Sequence, residues 1–148
     1  MSDALQLVIS AELAEKIGAH GTETYPHECC GALLGRDAGA SGLAAPREIL
    51  ALFPLVNRRD DSPRNRFSVT SEDVVEAEKN ARGQGLDVIG WYHSHPDHPA
   101  RPSEFDREHA WPFYSYVIVA IAQHKPVDMT SWVLDDQTQT FSRQDIED

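Results

Sequence analysis

The stretch Asp87-Val88-Ile89-Gly90-Trp91-Tyr92-His93-Ser94-His95-Pro96, separated by Asp97 to Pro102 from Ser103-Glu104-Phe105-Asp106, decides how the rest of the chain is read. Asp87 to His93 has the bulky apolar content of a strand, and it runs directly into a loop punctuated by Pro96, Pro99 and Pro102. Ser103 and Asp106 stand three apart, the spacing of a capping box, so a short helix is expected to begin there. Working outward, Ser115 to Ala122 is nearly all apolar, which marks a central strand covered on both faces. Cys29 to Gly35 reads as another buried strand, with Glu48 to Val56 as its partner and Leu5 to Ile9 as an opening strand. Ser10 can cap a helix from about Ala11 that runs out at Gly21 or Pro26, and Thr70 with Asp73 predicts a second helix through Arg82. Phe67 to Val69 is strand-like, Ala38 to Pro46 reads as a mobile connection, and Met129 to Leu134 with Thr138 to Phe141 reads as a closing hairpin. The expected architecture is α/β, one mixed sheet with helices on its faces, organised as a single domain over residues 1–148.

Composition narrows the function classes. With 148 residues, 41% of them hydrophobic, the chain is long enough to bury a core. No apolar run approaches the roughly 18 residues that span a bilayer, so an integral membrane protein is not expected. The first residues, Met1-Ser2-Asp3-Ala4-Leu5-Gln6, lack the basic and apolar regions of a secretory signal, and the cytoplasm is the expected compartment. Cys29 and Cys30 are adjacent, which is neither a disulfide framework nor a Cys-x-x-Cys motif. Thirteen basic against 24 acidic residues give a formal charge of −11, a surface that repels phosphate backbones, and nucleic acid is not an expected partner. The one arginine-rich segment, Arg58, Arg59, Arg64 and Arg66, is interrupted by Asp60 and Asp61 and reads as a mixed-charge loop. The acidity is compatible with a high-salt cytosol or with a basic partner, and the oligomeric state is left open.

In a strand, residues i and i+2 point the same way, so His93 and His95 can offer imidazoles to one metal ion while Ser94 faces elsewhere. Asp106 can supply a third ligand if the intervening loop folds back. Two His and one carboxylate leave a position for water, the arrangement of a catalytic zinc site rather than a closed structural one. A zinc hydrolase of this kind also needs a carboxylate to take and deliver protons. By itself, a His-x-His pair is more often an accident of surface or core; Pro96, Ser103 and Asp106 at fixed spacing are what lift it above that.

These residues resemble the signature of the JAMM (MPN-plus) zinc metallopeptidases: a distant Glu, then His-Ser/Thr-His-Pro, six residues, Ser, two residues and Asp. Upstream, Pro26-x-Glu28-x-Cys30-Gly31 followed by Leu33-Leu34-Gly35 is similar to the family's Glu-bearing strand. The resemblance implies a cytidine-deaminase-like JAMM fold, Zn2+ held by His93, His95 and Asp106, Glu28 as general base and acid, and Ser103 as hydrogen-bond donor to the developing oxyanion. It further implies hydrolysis of a peptide or isopeptide bond. Compact bacterial members act on the C-terminal Gly-Gly tail of ubiquitin-like sulfur-carrier proteins, and only Arg107 to Phe113 separates Asp106 from the next strand here.

Two other classes compete with that reading. A non-catalytic MPN scaffold typically loses the Glu or a ligand, and this chain has lost none. A RadC-like protein of DNA metabolism shares a similar His-x-His-Pro pattern, but carries Asn or Thr between the His residues and fits a charge of −11 poorly. Locally, Ser103 has a second role as helix N-cap, compatible with the first. Cys30 reads as a small buried packing residue, and His98 and His109 as solvent-exposed positions.

Overall fold

The computed structural model describes residues 6–37, 47–56 and 69–147. In chain order the elements are β1 (Leu7–Val8), α1 (Ala11–Thr24), β2 (Cys30–Asp37), β3 (Arg47–Leu55), α2 (Ser71–Gly83), β4 (Asp87–Pro96), α3 (Glu104–His109), β5 (Ser115–Ala122), β6 (Lys125–Leu134), β7 (Phe141–Gln144) and β8 (Ile146–Glu147). The strands form one sheet in the order β7-β6-β5-β4-β2-β3-β1-β8. Its centre is mixed: β4 runs parallel to β5 and antiparallel to β2. The expected α/β architecture is therefore the observed one.

Each face of the sheet has its own apolar layer. Ile17 of α1 packs with Cys29, Leu33, Ile89, Tyr92, Val117, Val119 and Ile121 on one side. On the other, Ala77 and Ala81 of α2 pack with Cys30, Ala32, Leu34, Trp91 and Tyr116. Alternation along β2 and β5 supplies both layers at once, which is why these strands read as continuous apolar runs. Gly31 serves this packing directly, since a Cβ at that position would stand 2.3 Å from the Tyr92 ring.

The helices start where side chains satisfy their first amides. Ser10 Oγ accepts from Leu13 N at 3.2 Å. Thr70 and Asp73 form the reciprocal pair, Asp73 N to Thr70 Oγ1 at 3.1 Å and Thr70 N to Asp73 Oδ2 at 3.0 Å. The first helix ends at Thr24, between the two expected stops, with Tyr25 as its C-cap.

Several boundaries differ from expectation. The strand expected at Met129 begins at Lys125, because Gln123 and His124 both adopt left-handed φ (53° and 64°), as a tight two-residue hairpin requires. The strand expected over Thr138 to Phe141 starts only at Phe141. Asp135 Oδ1 accepts from both Gln137 N (2.8 Å) and Thr138 N (3.1 Å), and this side-chain turn holds 137–140 out of the ladder. The chain then adds β8 beside β1, which the sequence pattern does not announce. Val69 leads into the Thr70 cap without joining a strand, and Phe67, Leu5, the Ala38 to Pro46 connection and the Arg58 to Arg66 segment lie outside the described residues. Among the described residues, no helix is long and apolar enough to cross a membrane.

Candidate metal centre and cleft

β4 carries His93 and His95 to its C-terminal end, on the face opposite α1. Both are buried, with 1% and 6% exposure. His95 Nδ1 lies 2.8 Å from the Pro99 carbonyl oxygen. A carbonyl can only accept, so Nδ1 carries the hydrogen and a neutral His95 turns the lone pair of Nε2 inward. There it meets Asp106 Oδ2 at 3.1 Å, and His93 Nε2 stands 3.2 Å from each of them. Ligands about 2.0–2.1 Å from a tetrahedral ion are about 3.3 Å from one another, so the three atoms already have the spacing of three corners of such a site. Lone pairs and a carboxylate oxygen converging on one point repel unless a cation sits among them. The donor set and its geometry fit a metal ion, and among the described residues this is the one such group of three or more His, Cys, Asp or Glu.

In the metal-free chain the site favours a proton on His95 more than water does. Burial acts to lower the His95 pKa, but the hydrogen bond and charge of Asp106, the Pro99 carbonyl and the charge of Glu28 outweigh it and raise the value. Burial likewise acts to raise the Asp106 pKa. The charge and hydrogen bond of His93, with the bonds from His95 and the Ser103 amide, win and hold the carboxyl well below the usual carboxylate range.

Asp106 is placed by local chemistry. Ser103 N donates to Asp106 Oδ2 at 2.9 Å while Asp106 N donates to Ser103 Oγ at 3.0 Å, the capping box expected at the start of α3. One oxygen of Asp106 thus serves the helix end and the convergence point together. The preceding loop is anchored by Ala100, which is buried and whose carbonyl accepts from Thr130 Oγ1 at 2.6 Å. Ser103 itself is exposed, and its hydroxyl keeps a proton to donate while it accepts from Asp106 N.

Glu28 comes to the same place by strand register. Cys30 pairs with His93, and Ser94 N donates to Cys29 O at 3.2 Å while Cys29 N donates to Ser94 Oγ at 2.8 Å. One further step sets Glu28 opposite His95. Its carboxylate is buried at 4% exposure, and its charge contributes to raising the His95 pKa. The structure thus gathers all five residues singled out from the sequence at the end of β4.

His98 and His109 are exposed, as expected, and neither joins the convergent group. His109 stacks on Phe105 with ring centroids 4.1 Å apart. Cys29 and Cys30 are buried on opposite faces of the sheet, and burial pushes the Cys29 thiol up to about 12, so it stays protonated at neutral pH.

The walls of the cleft beside these ligands were not foreseen from the sequence. A cleft of about 1080 Å³ opens beside His93 and Asp106, walled by Val74 and Val75 of α2 on one side and by Trp111, Phe113 and Tyr114 on the other. Trp111 is 68% exposed. Phe113 has φ +87°, a left-handed backbone that costs energy for an aromatic residue. The Arg47 guanidinium lies 4.6 Å from its ring centroid. The signal was available in Trp111-Pro112-Phe113-Tyr114, an aromatic density unusual for a connection between helix and strand.

A family model described as prokaryotic homologs of the JAB domain matches residues 10–135, and the chain belongs to that family. Among curated proteins it is 34% identical over 118 residues to the desampylase of Haloferax volcanii, covering 76% of this chain and 79% of that one. It is 32% identical over 114 residues to a probable TtuB-protein conjugate cleaving protease of Thermus thermophilus, covering 77% of this chain and 70% of that one. Among solved structures, a protein from Salinibacter ruber shares 38% identity and superposes with a TM-score of 0.72, over 97% of this chain and 90% of that one.

Proposed function

We propose that the chain is a zinc-dependent peptidase that hydrolyses a peptide or isopeptide bond at the C-terminal Gly-Gly tail of a ubiquitin-like sulfur-carrier protein. The observation that carries the reading is the convergence of His93 Nε2, His95 Nε2 and Asp106 Oδ2 within 3.1–3.2 Å of one another, with Glu28 in register opposite His95. The names of the two curated relatives support the substrate class, since one is a desampylase and the other is named for cleaving protein conjugates. Zn2+ bound by these ligands supplies a Lewis acid that activates water and polarises the scissile carbonyl.

The chain's own groups do the rest. Glu28 takes the proton released by the attacking water and delivers it to the leaving amine. Ser103 Oγ–H donates to the oxygen on which negative charge develops, while its lone pairs keep capping α3. The tail lies extended in the cleft, and its glycines, with no Cβ to clash, pass beside His93 and Asp106. Incubation with sulfur-carrier proteins extended by one amino acid past Gly-Gly, followed by mass spectrometry with Glu28→Gln as control, tests the reading. Release of the added residue is expected. Equal cleavage of unrelated unfolded peptides, or efficient cleavage after Gly-Gly is changed to Val-Val, overturns the tail specificity and leaves the peptidase assignment standing.

A further inference from the structure

We propose that Tyr25 is a positioning residue for Glu28, acting through Asp97; this rests on the reading of Glu28 as the proton carrier. Tyr25 is the C-cap of α1, three residues before Glu28, and Asp97 stands two residues after His95. The Tyr25 hydroxyl donates to the Asp97 carboxylate, with Oδ1 at 2.7 Å and Oδ2 at 2.8 Å. The segment between α1 and β2 is therefore fastened to the end of β4 and the residue just after it at two points. One is the Cys29–Ser94 pair of hydrogen bonds, and the other is Tyr25–Asp97. Glu28 lies between them, across from His95.

Both partners of the outer fastener are themselves fixed. Asp97 N donates to Ile121 O at 2.7 Å, and Asp97 holds φ +59°, a left-handed backbone that Asp tolerates better than most residues. The Tyr25 ring rests against His124 with centroids 4.3 Å apart, on the tight β5–β6 turn. The hydroxyl contact is one of several holds on this segment, beside Thr24 Oγ1 to the His27 carbonyl at 3.0 Å and the Cys29–Ser94 pair, and losing it loosens the stretch that carries Glu28. Proton transfer demands heavy atoms within hydrogen-bond reach, and a displacement of about 1 Å can cost on the order of 100-fold in rate.

Tyr25→Phe keeps the ring and its stacking and removes only the hydroxyl. With a β-grasp sulfur-carrier protein extended one residue past Gly-Gly as substrate, kcat is expected to fall about 10- to 100-fold. KM should stay within about threefold and zinc at one per chain, because neither the cleft nor the ligands are touched. Asp97→Gly, which suits the left-handed backbone and removes the acceptor, should reproduce the loss and covers the case in which Tyr25→Phe folds poorly. Asp97→Asn keeps an acceptor oxygen and should recover most of the turnover. A kcat within twofold of wild type in both Tyr25→Phe and Asp97→Gly overturns the proposal, as does a loss of turnover that follows loss of zinc. Turnover retained in Glu28→Gln overturns instead the role of Glu28 on which the proposal stands.

Discussion

On one face of β4 stand Trp91, His93 and His95, turned toward the cleft and α3; on the other stand Tyr92 and Ser94, turned toward α1. Both faces bury polar atoms. At the back, every polar contact has its complement inside the chain: Ser94 Oγ accepts from Cys29 N at 2.8 Å, and Tyr92 Oη is 2.7 Å from His20 Nδ1. At the front, His93 Nε2, His95 Nε2 and Asp106 Oδ2 converge within 3.1–3.2 Å of one another, a group that could take a cation from solution. The difference teaches how to separate structure from chemistry within one strand. Polar burial that closes on itself holds the fold, and polar burial that converges without closing marks a site.

The largest effects should follow changes to the front. His95→Ala removes one of three ligands, and zinc content measured by elemental analysis should drop from one per chain to none, with hydrolysis lost. Glu28→Gln should keep the zinc and still lose turnover, because the amide preserves shape but cannot accept a proton. A His95→Ala protein with wild-type zinc would show that the convergence is not the metal site. Next in size is Ser103→Ala. Loss of an oxyanion donor should lower kcat roughly 100-fold with zinc retained, while loss of the N-cap costs about 1 kcal/mol of stability. A stability loss with unchanged turnover would leave Ser103 as a cap alone.

The front should also be the face that responds to pH. In the metal-free protein the folded pKa of His95 is raised, so its protonated pairing with Asp106 stabilises fully below the unfolded value of 6.5 and is lost as pH rises through the folded value. Asp106 is lowered, so its contribution is present above 3.8 and is lost as pH falls through its folded value. The proton-held site is therefore favoured between those limits, and a zinc ion binding there would have to displace that proton. Apparent zinc affinity, measured by chelator competition from pH 5.5 to 7.5, should fall about tenfold per pH unit below the His95 value. A flat profile would mean that a different group binds the ion.

The two faces were not equally legible in the sequence. His93, His95, Ser103 and Asp106 could be read because their geometry is local: alternation along a strand and the three-residue spacing of a helix cap. Glu28 is a matter of register between segments some 65 positions apart, such as Cys29 with Ser94, and only the likeness to a known family pointed to it. The cleft wall was missed because Trp111 to Tyr114 acts through a fold that brings Arg47 beneath Phe113 and α2 across from Trp111. The strand expected at Thr138 failed on one side chain, Asp135, whose hydrogen bonds compete with the ladder. At the back, apolar periodicity announced the layer under α1, but not the pairing of Tyr92 with His20.

The smallest effect belongs to that pair. Tyr92 is fully buried, and burial drives its pKa well above the ordinary tyrosine value, so the hydroxyl stays protonated and donates to His20 Nδ1. Burial also lowers the His20 pKa, which keeps the imidazole neutral and able to accept. Tyr92→Phe removes one neutral hydrogen bond and leaves the ring and its packing against Gly31 in place. The cost should be about 1 kcal/mol, read as a fall of about 2–4 °C in Tm. His20 is only half-buried and can turn its nitrogen to water, which holds the loss near that figure. Turnover per folded molecule should stay within twofold, although Tyr92 is the immediate neighbour of His93 in the chain. A tenfold fall in kcat at unchanged Tm and zinc content would show that the back of β4 sets the geometry of its front, and the division between the two faces would no longer stand.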